Sequence, residues 1–187
     1  MTRLLLLLLG LMAMQSTFAQ RGRMRKQAHA QPISQITSKP LPLQQLSIPE
    51  LQQLMEYDNF RIDTTMKKKG YLLMQKDVDS TSSLYQYSHF EHNEEKPSTI
   101  RSLQYMDVNT SKYSSRLLTY RTYDKDEYRD ISAYLLSHNF SSTEKYSFQG
   151  AENIVYSNGK ETIRIKIFVT PMGDGRRFTA YELEFGK

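Results

Sequence analysis

A strict two-residue alternation near the C-terminus limits the fold of this chain more than any other feature. Ile163, Ile165, Ile167 and Val169 alternate with Arg164, Lys166 and Phe168, and Tyr181, Leu183 and Phe185 alternate with Glu182 and Glu184. Successive side chains of a strand point to opposite faces, so each run predicts a strand with one buried and one wet face. Asn158-Gly159, just before the first run, is the strongest hairpin signal in the sequence. Pro171-Met172-Gly173-Asp174-Gly175 supplies the turn between the two runs. Upstream, residues 71–77, 83–89, 99–107 and 114–123 predict further strands, with Asp77 to Ser82 as one turn.

Helical signals stand apart from these runs. Ser47-Ile48-Pro49-Glu50 is a capping box with Pro in the first turn, followed by the apolar stripe Leu51, Leu54 and Met55. A second short helix is expected from Asp58 or Asn59, with Ile62 and Met66 on one face, Lys67-Lys68-Lys69 at its negative end and Gly70 as its left-handed stop. Asp124 and Glu127 read as another box, ahead of Tyr128, Ile131, Tyr134 and Leu135, with Asn139 at the stop position. An offset of 69 aligns Gly70-Tyr71 with Asn139-Phe140, Ile62 with Ile131, Met66 with Leu135, and Tyr87-Ser88 with Tyr156-Ser157; an offset of 63 aligns Thr99-Ile100-Arg101 with Thr162-Ile163-Arg164. The expected fold is therefore α+β: a tandem duplication of a helix-plus-antiparallel-sheet unit, about four strands per copy, with helices packed on one sheet face. The copies would span 47–123 and 124–187. In layout alone this resembles the tandem helix-plus-four-strand repeat of the β-lactamase inhibitory protein family, with no shared motif and none of that family's cysteines.

Residues 1–19 read as a secretory signal peptide. Arg3 is followed by an eleven-residue apolar core from Leu4 to Met14, and Thr17-Phe18-Ala19 ends in a small residue before Gln20. A helix of that length covers about 16 Å, roughly half a bilayer core, so cleavage is expected rather than anchoring. No Cys follows to accept a lipid. The Phe18-Ala19-Gln20 ending resembles signal ends of envelope proteins in Bacteroidetes-type bacteria. The expected location is exported, periplasmic or secreted, and not lipid-anchored. Residues 20–46, rich in Gln with Pro32, Pro40 and Pro42, read as a flexible tether.

Charge narrows the partners. The 187 residues hold 25 Lys and Arg against 20 Asp and Glu, a net charge of +5. Arg3 and the tail residues Arg21, Arg23, Arg25 and Lys26 carry all of that excess, so residues 27–187 balance to zero. A nucleic-acid domain carries its basic patch on the folded part, so nucleic acid is not an expected partner. The basic tail suits weak contact with an anionic surface.

Candidate chemistry is sparse. With no Cys, there is neither a disulfide scaffold nor a cysteine metal site. His89, Glu91 and His92, within the loop from His89 to Glu95, offer nitrogen and oxygen ligands to Zn or Cu(II). Asp77-Val78-Asp79-Ser80 fails the calcium-loop pattern, because Ser82 stands where Gly is required and Ser88 where Glu is. Glu182 and Glu184 alternate with apolar residues and are expected to face water on one sheet surface. There is no G-x-S-x-G elbow and no catalytic residue to assign, and no cofactor is implied. The chain has thirteen Tyr and no Trp. Tyr85, Tyr87 and Tyr156 fall in predicted strands and are candidates for an exposed aromatic contact surface. The expected function is an exported, non-catalytic binding protein of the bacterial cell envelope, holding another protein or an envelope component. Its rivals are a small-ligand or metal-binding periplasmic protein using the His89 loop, and a small hydrolase.

Overall fold

The computed structural model describes residues 45–90, 100–171 and 175–187. Helices α1 (Ile48–Met55) and α2 (Asn59–Lys68) precede strands β1 (Leu72–Val78), β2 (Ser82–Phe90), β3 (Ile100–Asn109) and β4 (Ser114–Thr122). Helix α3 (Lys125–Ser137) then leads into β5 (Ser141–Phe148), β6 (Ala151–Ser157), β7 (Thr162–Pro171) and β8 (Arg177–Gly186). All eight strands form one sheet in the order β1-β2-β3-β4-β8-β7-β6-β5, and every neighbouring pair is antiparallel.

This overturns the expected tandem duplication of a helix-plus-antiparallel-sheet unit with helices packed on one sheet face. Among the described residues the chain is instead mostly strand, 53% against 24% helix, with three short helices on a single eight-stranded sheet. The physical reason is the seam between β4 and β8. Their backbones pair from Leu117 opposite Gly186 to Thr122 opposite Tyr181, so neither strand leaves its amides unpaired. Leu118 and Tyr120 meet Phe185 and Leu183 across that seam, and all four are buried.

Local signals explain the helix ends. Ser47 accepts from the Glu50 amide while Glu50 reaches back to the Ser47 amide, the reciprocal cap expected. Burial raises the Glu50 carboxyl, but the Lys69 ammonium at 2.6 Å and the Ser47 groups outweigh it and hold the carboxyl below its ordinary value. Asp58 caps α2 through the Arg61 amide. Gly70 and Asn139 both take positive φ, 79° and 62°, where the chain turns from helix to edge strand. One boundary moves: Leu46, placed in the tether, is only 1% exposed and belongs to the core.

Inward-facing residues of the strands and the buried residues of all three helices form one apolar cluster, from Leu51 and Ile62 through Tyr87 and Tyr105 to Ile165 and Leu183. Set into it is an ionic group. Glu127 was expected to cap α3; it points inward instead, and Asp124 alone accepts from the first-turn amides, those of Asp126 and Glu127. The Glu127 carboxylate accepts from Arg101 Nε at 2.7 Å, Thr122 Oγ1 at 2.8 Å and the Tyr120 hydroxyl at 2.5 Å. Asp124 adds a second carboxylate 3.5 Å from Arg101.

The β1–β2 turn is a polar turn built on Asp79. Its carboxylate accepts from the Thr81 and Ser82 amides, each at 2.7 Å, and from both hydroxyls. These donors, the Thr81 amide first, hold the Asp79 carboxyl at about 2 against an ordinary 3.8. A depressed folded value means that the contribution is complete above the ordinary value and is lost as pH falls through about 2. A carboxyl NMR titration is expected to place the Asp79 inflection near 2; an inflection near the ordinary value means that these bonds are absent in solution.

Candidate functional site

A candidate site lies on the sheet face opposite the apolar cluster, where β6, β7, β8 and β4 run side by side. Because Ile163, Ile165, Leu183 and Phe185 turn inward, Arg164, Lys166, Glu182 and Glu184 take the other face, as the alternation predicts; Glu182, expected to face water, is only 7% exposed there, paired with Arg121 and Lys166. The register sets Lys166 opposite Glu182 and Glu182 opposite Arg121, and it sets Arg164 opposite Glu184. Arg164 Nη1 lies 2.6 Å from Glu184, Arg121 Nε 2.9 Å from Glu182, and Lys166 Nζ 3.0 Å from Glu184. Opposite charges directly across a sheet contribute about 0.2–1 kcal/mol per pair, so the ladder fixes side-chain positions more than it holds the fold.

Three cations face two carboxylates here. Burial lowers Lys166 and Arg121, but the neighbouring glutamates outweigh it, and both end above their ordinary values. Lys166 and Arg121 therefore stay charged across neutral pH. Beside it opens a trough of about 610 Å³. Tyr146, Phe148, Phe168 and Val169 give it apolar lining, and Asn153, Lys166 and Glu182 give it polar lining. The Arg121 guanidinium lies 5.3 Å from the Phe168 ring centroid, which ties the charged row to the aromatic one. Arg164 Nε is buried at the same place with no hydrogen-bond partner among the described residues. A second concavity, about 500 Å³ near Gln52, Glu56, Glu161 and Lys187, has its polar groups paired with one another: Gln52 with Glu161 at 2.7 Å and Lys187 with Glu56 at 2.8 Å.

The candidate tyrosines are not at this surface. Tyr85 and Tyr87 are 7% and 0% exposed, and Tyr156 is half-buried against the core. The expectation of an exposed aromatic row at these positions is corrected. The register sets Tyr85 opposite Tyr105 and Tyr87 opposite Leu103, which puts both rings on the inward face. Aromatics that do reach solvent on the other face include Tyr146, Phe148 and Phe168, and their signal was available. Tyr146 and Phe148 alternate in a strand of Ser, Thr, Glu and Lys, and Phe168 stands in the polar phase of β7.

His89 is buried, with Nδ1 3.0 Å from the Gly70 carbonyl and its ring 5.3 Å from that of Tyr71. Its strand partner is the Arg101 position, and its Nε2 has no hydrogen-bond partner among the described residues. Glu91 and His92, the other expected ligands, lie outside the described residues, as do the signal peptide and tail residues Arg21, Arg23, Arg25 and Lys26. Among the described residues no group of three or more His, Asp or Glu is placed to hold a metal ion, and no helix is long and apolar enough to cross a membrane.

Comparison with known protein families, curated proteins and solved structures finds no match to this chain.

Proposed function

We propose that this chain is an exported, non-catalytic binding protein of the bacterial cell envelope, and that it holds another protein or an envelope component in the trough on the outer sheet face. The observation that carries the reading is the placement of Phe148 and Phe168 in a trough next to a fixed charged row. Protein-binding surfaces combine a few aromatic anchors with polar groups that exclude wrong partners. Each aromatic contributes apolar area at small entropic cost, and the ladder sets orientation without needing to move. The export part of the proposal rests on residues 1–19 of the sequence.

Phe148 is 62% exposed and lies at the end of an edge strand, so its removal has little to do with folding. A Phe148→Ser variant is expected to bind an envelope partner at least about tenfold more weakly than the parent chain, as for loss of an aromatic anchor. Its melting temperature is expected to stay within about 2 °C, because surface substitutions are usually within about 0.5 kcal/mol. The measurement is affinity capture from envelope extract at low and high salt, with the captured partner then titrated against both chains. Undiminished binding by the variant removes the trough from the proposal.

A further inference from the structure

We infer that the trough is the aromatic end of a longer site on the same sheet face, and that its occupant is a neutral glycan chain of the cell envelope laid across the strands. The inference rests on the proposed trough and deepens it by naming the chemistry of what is held there. The charged row leads directly into an uncharged one. Glu184, which holds Arg164, pairs across the sheet with Thr119, Thr119 with Gln104, Gln104 with Gln86 and Gln86 with Gln75. These side chains share the face of the trough, because Leu118, Leu103 and Tyr87 beside them turn inward. Neighbouring strands lie about 4.8 Å apart, so the row from Arg164 to Gln75 is about 24 Å long.

The polar groups of this row are unspent. Gln104 is exposed, Gln86 and Thr119 are half-buried, and none of the three has a side-chain hydrogen bond to another described residue. A Gln amide and a Thr hydroxyl each donate and accept, so the row presents both functions to whatever lies on it. Two further polar atoms are buried with no partner among the described residues, Arg164 Nε and Thr170 Oγ1. Both residues belong to the outward phase of β7, on either side of Lys166 and Phe168. A buried donor or acceptor left unpaired is costly, so two on one strand mark where the polar groups of a ligand complete the bonding. The concavity near Gln52 lacks this property, since its polar groups pair with one another.

Charge balance selects a neutral occupant. Among the described residues the outward strand positions carry Arg121, Arg164 and Lys166 against Asp77, Glu144, Glu182 and Glu184, three against four. Arg176, 5.4 Å from the ring of outward-facing Phe178, makes four against four. The ladder cations already hold the ladder carboxylates, so no net field draws an anion or a cation to this face. A polyhydroxyl chain needs none. Each of its hydroxyls donates and accepts, as the Gln and Thr side chains do, and the paired Arg and Glu groups bond hydroxyls without a counter-charge. The C–H faces of its rings suit the electron-rich faces of Phe148 and Phe168. A protein partner brings apolar anchors instead, and the Gln and Thr row has nothing apolar to offer them. Nor can a peptide add a strand on a sheet face, where the backbone groups are spent in the ladders.

The test uses the mature chain, residues 20–187, and polysaccharide from protease-digested, delipidated cell envelope, split by anion exchange into a neutral and an acidic pool. The parent chain is expected to bind the neutral pool, with affinity changing less than about twofold between about 0.05 and 0.5 M salt. The double change Gln86→Ala with Gln104→Ala should weaken this binding at least about fivefold, as for two lost hydrogen bonds. Phe148→Ser should weaken it at least about tenfold. Thermal unfolding of both variants beside the parent confirms that each is folded. Binding of neither pool, binding of the acidic pool alone, or undiminished binding by the Gln variant overturns the inference. The fate of the trough is read separately, with the proteins of undigested extract. If both pools stay free while a captured protein is lost by Phe148→Ser, the glycan is wrong and the trough stands as a protein site. If Phe148→Ser retains everything that the parent retains, the trough falls as well.

Discussion

Replacing Glu127 by Leu is expected to lower the stability of the fold by about 3–5 kcal/mol, as for one partner removed from a buried ion pair. Glu127 is 2% exposed, as is Arg101, and the carboxylate answers the guanidinium at 2.7 Å within an apolar cluster. Removal takes from the buried cation its carboxylate at 2.7 Å, while the Asp124 carboxylate stands farther off, 3.5 Å from Nη2. It also leaves the Tyr120 and Thr122 hydroxyls without their acceptor. Burial, then Tyr71 and Glu127, push the Tyr120 phenol well above its ordinary value, so that hydroxyl acts as a donor and loses its carboxylate acceptor. Arg101→Met is expected to cost less, because the carboxylate keeps two hydroxyl donors. The double variant with Leu at 127 and Met at 101 should cost less than Glu127→Leu alone, since it removes both charges. Urea unfolding followed by circular dichroism measures all three. A single-variant cost below about 1 kcal/mol, or a double variant equal to the sum of the singles, means that the pair does not anchor α3 to β3 and β4.

The same group shows what the sequence conceals. The spacing of Asp124 and Glu127 fits a capping box, and half of the motif forms: Asp124 caps the helix, while Glu127 leaves the surface for Arg101, 26 residues away. Local spacing carries no information about a partner that distant. By contrast, Glu50 holds Lys69 at 2.6 Å with one carboxylate oxygen and reaches the Ser47 amide with the other, so its box closes as written. The strands follow a similar division. The alternation from Ile163 to Val169 and from Tyr181 to Phe185 predicts which side chains turn inward, and Ile163, Ile165, Leu183 and Phe185 do. Alternation says nothing about which strand pairs on the far side of β4, so the seam with β8 that makes one sheet of eight strands was not legible. The outward phase of β7 and β8 was legible, and with it the charged half of the candidate site. The aromatic half was less so: Tyr85 and Tyr87 turn inward, while Phe148 and Phe168 stand in the outward phase of β5 and β7.

Tyr87 is where that misplacement has its largest measurable consequence. A Tyr at a contact surface can be cut back to Ala with loss of binding and little change in stability; a Tyr in the core cannot. Tyr87 is 0% exposed, lies between Leu73 and Leu103 in the register, and sits near-parallel to the Tyr85 ring at 6.4 Å. Tyr87→Ala is therefore expected to cost about 3–5 kcal/mol, the range for a large buried aromatic and the cavity that it leaves. The hydroxyl is a smaller part of this. It donates to Asp63 at 3.2 Å, a long bond at the margin of the core, and burial with Asp63 nearby raises the phenol above its ordinary value. Tyr87→Phe removes that bond and keeps the ring, so its expected cost is about 0.5–1.5 kcal/mol. Thermal unfolding of both variants beside Phe148→Ser separates the two surfaces. The Ala variant should melt far below the parent, the Phe variant slightly below it, and Phe148→Ser with it. If Tyr87→Ala melts with the parent chain and loses the envelope partner, recognition belongs to the inward tyrosines and the core drawn around Tyr87 is wrong.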